Sequence, residues 1–98
     1  MKMSEIMKMK HVEGRKRGNV VLYALSTCVW CSKTKKLLDS LGVDYFYVDV
    51  DLLEGESRRE ALQEMDRWNP RRSFPTIVIN NKCIVGFKED EIKEALGF

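Results

Sequence analysis

Long apolar runs are missing from this chain of 98 residues. No stretch approaches the roughly 20 apolar residues that cross a bilayer, and the first residues lack the apolar segment of a secretory signal. A cytoplasmic location without membrane contact is expected. Cysteine is scarce: the three residues, Cys28, Cys31 and Cys83, do not suit a disulfide scaffold. Histidine is scarcer still, with His11 alone, so a structural zinc site wanting four ligands finds no second ligand pair at the usual spacing. Proline occurs only as Pro70 and Pro75. Internal repeats and low-complexity segments are absent.

Neither sign of charge dominates. Seventeen basic and fifteen acidic side chains leave +2, but the distribution is uneven. Residues 1–18 carry six basic residues (Lys2, Lys8, Lys10, Arg15, Lys16, Arg17) against Glu5 and Glu13, a local +4, and the remaining 11 basic and 13 acidic residues give −2. This basic arm has no aromatic residue to stack on a base, so a solvated tail holding His11 is expected rather than a nucleic-acid interface, with Val12 beside Glu13 able to add a short strand before the Gly14–Gly18 turn region. Ninety-eight residues are enough for one hydrophobic core and not two, and a monomer is expected.

What is present is strong patterning from residue 19 onward. Val20 to Leu25 is apolar throughout, as a central strand covered on both faces should be. A basic amphipathic helix follows, with Trp30, Thr34, Leu37, Leu38 and Leu41 on one face and Lys33, Lys35, Lys36 and Asp39 on the other. Gly42 stops it. Tyr45 to Val50 reads as a strand, so strand, helix and strand form a parallel unit. Asp51 to Gly55 connects to a second helix over Glu56–Trp68, with Ala61, Leu62, Met65 and Trp68 on its apolar face. Asn69-Pro70 ends that helix, because proline disfavours helical geometry in the residue before it. Thr76–Ile79 and Lys82–Val85 form a hairpin across Asn80-Asn81. Glu89–Leu96 is a last helix with acidic residues in its first turn, where the helix dipole favours them.

Chemistry concentrates at Ser26-Thr27-Cys28-Val29-Trp30-Cys31, between the first strand and the first helix. A cysteine at a helix N-terminus faces unpaired backbone N–H groups and the positive end of the dipole. Such placement can lower a thiol from about 8.5 to roughly 3.5–7.5, and the thiolate is the form that attacks disulfides. The second cysteine, most of a turn further in, is close enough to close a short disulfide. A lone C-x-x-C can also be half of a zinc site or two small buried residues. Cys83 reads as a core residue rather than a third redox thiol.

Cys28-Val29-Trp30-Cys31 after Val21-Leu22-Tyr23, then Ser73-Phe74-Pro75-Thr76, then Val85-Gly86-Phe87, resembles the glutaredoxin family across residues 19–98. The resemblance implies an α/β, thioredoxin-like fold: a four-stranded mixed sheet flanked by three helices, preceded by the basic arm of residues 1–18. It implies a thiol–disulfide oxidoreductase whose redox centre is a Cys28–Cys31 disulfide, with no metal and no other cofactor. Cys28 would be the nucleophile and Cys31 the resolving thiol. Pro75 would be a cis proline packed against the disulfide, with the Phe74 backbone pairing to substrate. Thr27, Val29, Trp30, Arg72, Phe74, Pro75, Gly86 and Phe87 would bind substrate.

Two departures from the family pattern bear on the electron donor. Many glutathione-using members carry a lysine three residues before the first cysteine, where this chain has Leu25. They also carry Gly-Gly, a small residue and Asp before the last helix, where this chain has Gly86-Phe87-Lys88-Glu89-Asp90. The latter is similar to the glutaredoxin-like electron donors of ribonucleotide reductase, which draw on a thioredoxin-reductase-type flavoenzyme. Glutathione is therefore weakened as a partner rather than excluded, since Arg71 and Arg72 stand where a basic residue could meet a carboxylate. The expected partners are a disulfide-containing protein such as ribonucleotide reductase, and a flavoenzyme or small thiol as donor. Two other functions remain open: an iron–sulfur or metal carrier ligated by Cys28, and a redox-inactive interaction module.

Overall fold

The computed structural model describes residues 9–98. Its regular elements are β1 (Lys10–Val12), β2 (Val20–Ala24), α1 (Val29–Leu41), β3 (Tyr45–Asp49), α2 (Gly55–Asp66), β4 (Thr76–Ile79), β5 (Lys82–Val85) and α3 (Glu89–Ala95), with a short 3-10 turn at Val50–Leu52. The strands form one mixed sheet in the order β1-β3-β2-β4-β5. β2 runs parallel to β3 and antiparallel to β4. The thioredoxin-like arrangement of sheet and three helices is as expected from the sequence.

β2 is the middle strand because both of its faces are apolar. Val20, Leu22 and Ala24 face one layer, where Cys31, Leu37 and Leu38 of α1 and Ile92 and Leu96 at α3 complete a core. Tyr23 faces the other layer and packs with Val48, Val78, Ala61 and Met65, which α2 covers. Strand alternation thus distributes one continuous apolar run between two buried clusters, one on each face of the sheet, where length alone suggested a single core. The loop after β2 leaves the sheet beside the start of β4, since Tyr23 pairs with Thr76. That adjacency brings residues 26–31 next to residues 74–75.

The strand count requires a correction. The sheet has five strands rather than four, because Lys10–Val12 pairs antiparallel with β3. His11, expected in a tail, has its Nε2 2.8 Å from the Asp44 carboxylate and its ring stacked on Phe46 at 4.4 Å. The Gly14 N–H donates to the same carboxylate at 3.2 Å. A side chain at Gly14 would meet the Val43 backbone at 2.6 Å, so glycine permits this close approach. The boundary expected at residue 18 therefore runs through a packed segment, while residues 1–8 of the basic arm lie outside the described residues.

The smaller differences are at element ends. α1 starts at Val29, before the basic run, and Gly42 caps it at φ 67° with its N–H donating to the Asp39 and Leu38 carbonyls. α2 ends at Asp66, so Trp68 lies past the helix but still packs on the α2 core. Lys35, expected on the solvated face, is three-quarters covered: its Nζ lies 2.9 Å from Asp49 and 4.4 Å from the Tyr47 ring centroid.

Candidate active site

Cys28 occupies the N-cap of α1 in extended backbone geometry. Its own N–H donates to the Leu25 carbonyl at 3.2 Å, its carbonyl accepts from Ser32 at 3.0 Å, and its Sγ accepts the Cys31 N–H at 3.2 Å. The sulfur therefore takes the position that a Ser, Thr or Asp oxygen takes in an ordinary cap. One turn earlier, Asp51 fastens the approach: its carboxylate accepts from the Ser26 N–H at 2.8 Å and from the Ser26 hydroxyl. Those two bonds, the side-chain one first, hold the Asp51 carboxyl below its ordinary range. Thr27 is exposed between the two anchors.

The two thiols differ sharply in environment. Cys28 is half-buried, whereas Cys31 is fully covered. Burial, then its hydrogen bond with the Cys28 side chain, pushes the Cys31 thiol up to about 12. Burial disfavours the charged form of any thiol, so Cys31 stays protonated unless its surroundings change.

Beside Cys28, Trp30, Phe74, Pro75, Gly86 and Phe87 line a groove of about 290 Å³. The Trp30 and Phe87 rings stack at 6.1 Å, and the Lys33 ammonium sits 4.5 Å from the Trp30 centroid. Trp30 remains 55% exposed and Val29 66%, so the helix start presents apolar surface to solvent instead of burying it. The Phe74–Pro75 peptide is cis. The Gly86 N–H donates to the Pro75 carbonyl at 2.8 Å, which ties the end of β5 to the same wall. The Phe74 N–H and carbonyl make no hydrogen bond to a described residue, and so remain available to an added strand.

Five of the residues expected to bind substrate thus come together in one groove, with Thr27 and Val29 beside Cys28. Arg72 does not join them. Its guanidinium forms a two-pronged pair with Asp66, both contacts at 2.7 Å, and it lines a separate hollow with Gly55, Arg58, Arg59, Leu62 and Gln63. The cause is local: the chain turns at Arg72 with φ 53°, which directs the side chain back along α2. Arg71 is exposed and forms no ion pair with a described residue. Cys83 is half-buried on β5, and burial pushes its thiol up.

Sequence reasoning missed three anchors of this site: Ser26, Asp51 and Asn69. Asn69 was legible only as the stop of a helix, although a serine and a threonine four and seven residues later could have suggested a side-chain hub. Among the described residues, no group of three or more His, Cys, Asp and Glu side chains is arranged to hold a metal ion.

The family model for glutaredoxin matches residues 20–84. A glutaredoxin from Methanosarcina mazei Go1 is 62% identical, with a TM-score of 0.85 over 92% of this chain and 88% of that one. Methanoredoxin of Methanosarcina acetivorans is 60% identical, with a TM-score of 0.83 over 87% of this chain and 90% of its own. An uncharacterized glutaredoxin-like protein in the rubredoxin operon of Clostridium pasteurianum is 32% identical over 77 residues, covering 79% of this chain and 96% of that protein.

Proposed function

This chain belongs to the glutaredoxin family, and from that premise we propose that it reduces protein disulfides through Cys28 and Cys31. The observation that carries the proposal is the asymmetry of the thiols: a half-buried Cys28 beside an apolar groove, and a covered Cys31 held protonated behind it. The Cys28 thiolate attacks one sulfur of the target, whose S–S bond breaks, and the departing thiolate takes up a proton. A mixed disulfide joins Cys28 to the attacked sulfur. Cys31 then loses its proton and attacks the Cys28 sulfur, releasing the second target thiolate. Two electrons pass to the target, and a Cys28–Cys31 disulfide remains. All the redox chemistry resides in sulfur, so no resident cofactor is required.

The groove suits a peptide better than a small acid. Its lining is apolar, and the unpaired Phe74 backbone can pair with an extended segment in the manner of an added strand. Glutathione, a dianionic tripeptide at its carboxylates, finds Leu25 and Phe87 where family members place charge and an open backbone, and Arg72 is already committed to Asp66. We therefore assign regeneration to a protein reductase of the thioredoxin-reductase flavoenzyme type. A ribonucleotide reductase disulfide is one fitting target, and a cytoplasmic setting fits the role because thiols stay reduced there.

The test is turnover of a protein disulfide by the intact dithiol protein, supplied in parallel with glutathione and its reductase or with a thioredoxin-reductase-type flavoenzyme. Faster turnover with the flavoenzyme is the expected result. Equal or faster turnover with glutathione would overturn the donor assignment. Absence of turnover with both, in a protein whose Cys28 still alkylates, would overturn the oxidoreductase assignment.

A further inference from the structure

Both prolines of the chain flank one short loop, residues 70–75, which leads from α2 to the groove. A single side chain organises that loop. Asn69 is 6% exposed, one of three buried polar residues among the described residues. Its amide nitrogen donates to the Ser73 hydroxyl at 3.0 Å and to the Thr76 hydroxyl at 3.0 Å, with the Ser73 carbonyl a longer 3.4 Å away. Its amide oxygen accepts the Arg71 N–H at 3.2 Å. Its backbone carbonyl accepts the Arg72 N–H at 3.0 Å, and its N–H donates to Met65 at 2.7 Å. The fully buried Thr76 closes the circuit by donating to the Ser73 carbonyl at 2.8 Å.

The consequence is geometric. Phe74 and Pro75 stand between Ser73 and Thr76, the two residues that the Asn69 amide grips. They have no regular secondary structure of their own, so this grip and the Gly86–Pro75 bond fix where the wall stands. Two of the three members, Asn69 and Thr76, are buried, and a satisfied polar network with a buried anchor is rigid and specifies one arrangement rather than several. Cys28, by contrast, is set by Leu25, Ser32 and Cys31, none of which Asn69 bonds.

We propose that Asn69 is the positioning residue of the substrate wall, holding Phe74 and Pro75 so that the groove accepts an extended peptide disulfide, without bearing on the reactivity of the Cys28 sulfur. The proposal takes Cys28 as the attacking thiol and requires no particular electron donor. A loop freed of Asn69 must be ordered anew each time a peptide pairs with Phe74, which weakens binding and leaves the chemistry at sulfur unaltered.

The experiment uses Cys31→Ser, Cys83→Ala protein, in which Cys28 is the single thiol. Two probes are compared by release of pyridinethione: a short apolar peptide activated as its pyridyl disulfide, and dipyridyl disulfide alone. Asn69→Ala should raise the half-saturating peptide concentration about tenfold, with the limiting rate and the rate toward dipyridyl disulfide unchanged. Thr76→Val keeps the shape of its residue and removes one hydrogen-bond partner, so it should give a smaller rise of about threefold. It decides the question alone if Asn69→Ala does not fold. Equal losses with both probes, or no change with the peptide, would overturn the proposal. Failure of the oxidoreductase reading would show elsewhere, as absent turnover by the intact dithiol protein, because activated disulfides report on Cys28 without it.

Discussion

Alkylation near neutral pH separates the two cysteines residue by residue. Burial pushes the Cys31 thiol up to about 12, so it stays protonated at pH 7, and it is also covered. Cys31→Ser should therefore alkylate at the intact protein's rate and accumulate mixed disulfides with a target, whereas Cys28→Ser should do neither. Mass spectrometry after a timed iodoacetamide pulse reads both outcomes. Faster labelling at Cys31 than at Cys28 would reverse their roles. At Leu25 and Phe87 the outcome concerns glutathione. A charge-assisted hydrogen bond is worth roughly 1.5–3 kcal/mol, so Leu25→Lys should improve glutathione-driven turnover by about tenfold to a hundredfold. Phe87→Gly should improve it by less, since it also removes the ring stacked on Trp30. Glutathione turnover that neither change improves would mean these positions do not govern the donor.

Among the elements, β1 depends most on side chains from elsewhere. Three residues give it few ladder bonds, and Asp44 supplements them by receiving His11 and the Gly14 N–H. The hydrogen bond with His11, foremost, holds the Asp44 carboxyl below its usual range. A carboxyl lowered by folding contributes stability above its ordinary value and loses it as pH falls through the lowered one. Asp44→Ala should cost about 0.5–1.5 kcal/mol in urea unfolding at pH 7, and the cost should shrink in strong acid. Amide exchange should quicken in β1 while β2 keeps its protection, because β2 is held by both cores. Equal quickening in both strands would show that β1 is not a separable edge.

The molecule as a whole should be vulnerable to alkali, because several of its buried groups hold their protons only while folded. Burial raises Tyr23 and Tyr45 above their ordinary value of 10, and Cys31 from 9.0 to about 12. The sign follows from linkage: above the ordinary values the unfolded chain releases these protons while the folded one retains them, so stability falls as pH rises. Above its ordinary value of 9.0, Cys31 should make stability fall as pH rises, because the unfolded chain ionises there and the buried thiol does not. Urea midpoints of the reduced protein from pH 8 to 11 check this, and Cys31→Ala should show a shallower decline. A parallel decline in both would place the loss on the tyrosines and Cys83 instead of Cys31.

Local chemistry and periodicity by themselves determined the apolar centre of β2, the helix after it, the β4–β5 hairpin and the placement of Cys28 at a helix start, because each is written within a few neighbouring residues. Pairings between distant polar groups were decided only by the tertiary structure. His11 meets Asp44 33 residues away, which turns an expected tail into a fifth strand. Ser26 meets Asp51 across 25 residues, and Lys35 leaves the solvated face for Asp49. Arg72 and Asn69 show the same division within one loop: composition presents an arginine and a helix stop, and the turn at φ 53° sends the arginine to Asp66 while the amide grips Ser73 and Thr76. An apolar residue needs only a face, which periodicity supplies. A polar side chain needs a particular partner at hydrogen-bond distance, and that distance exists only once the chain has folded.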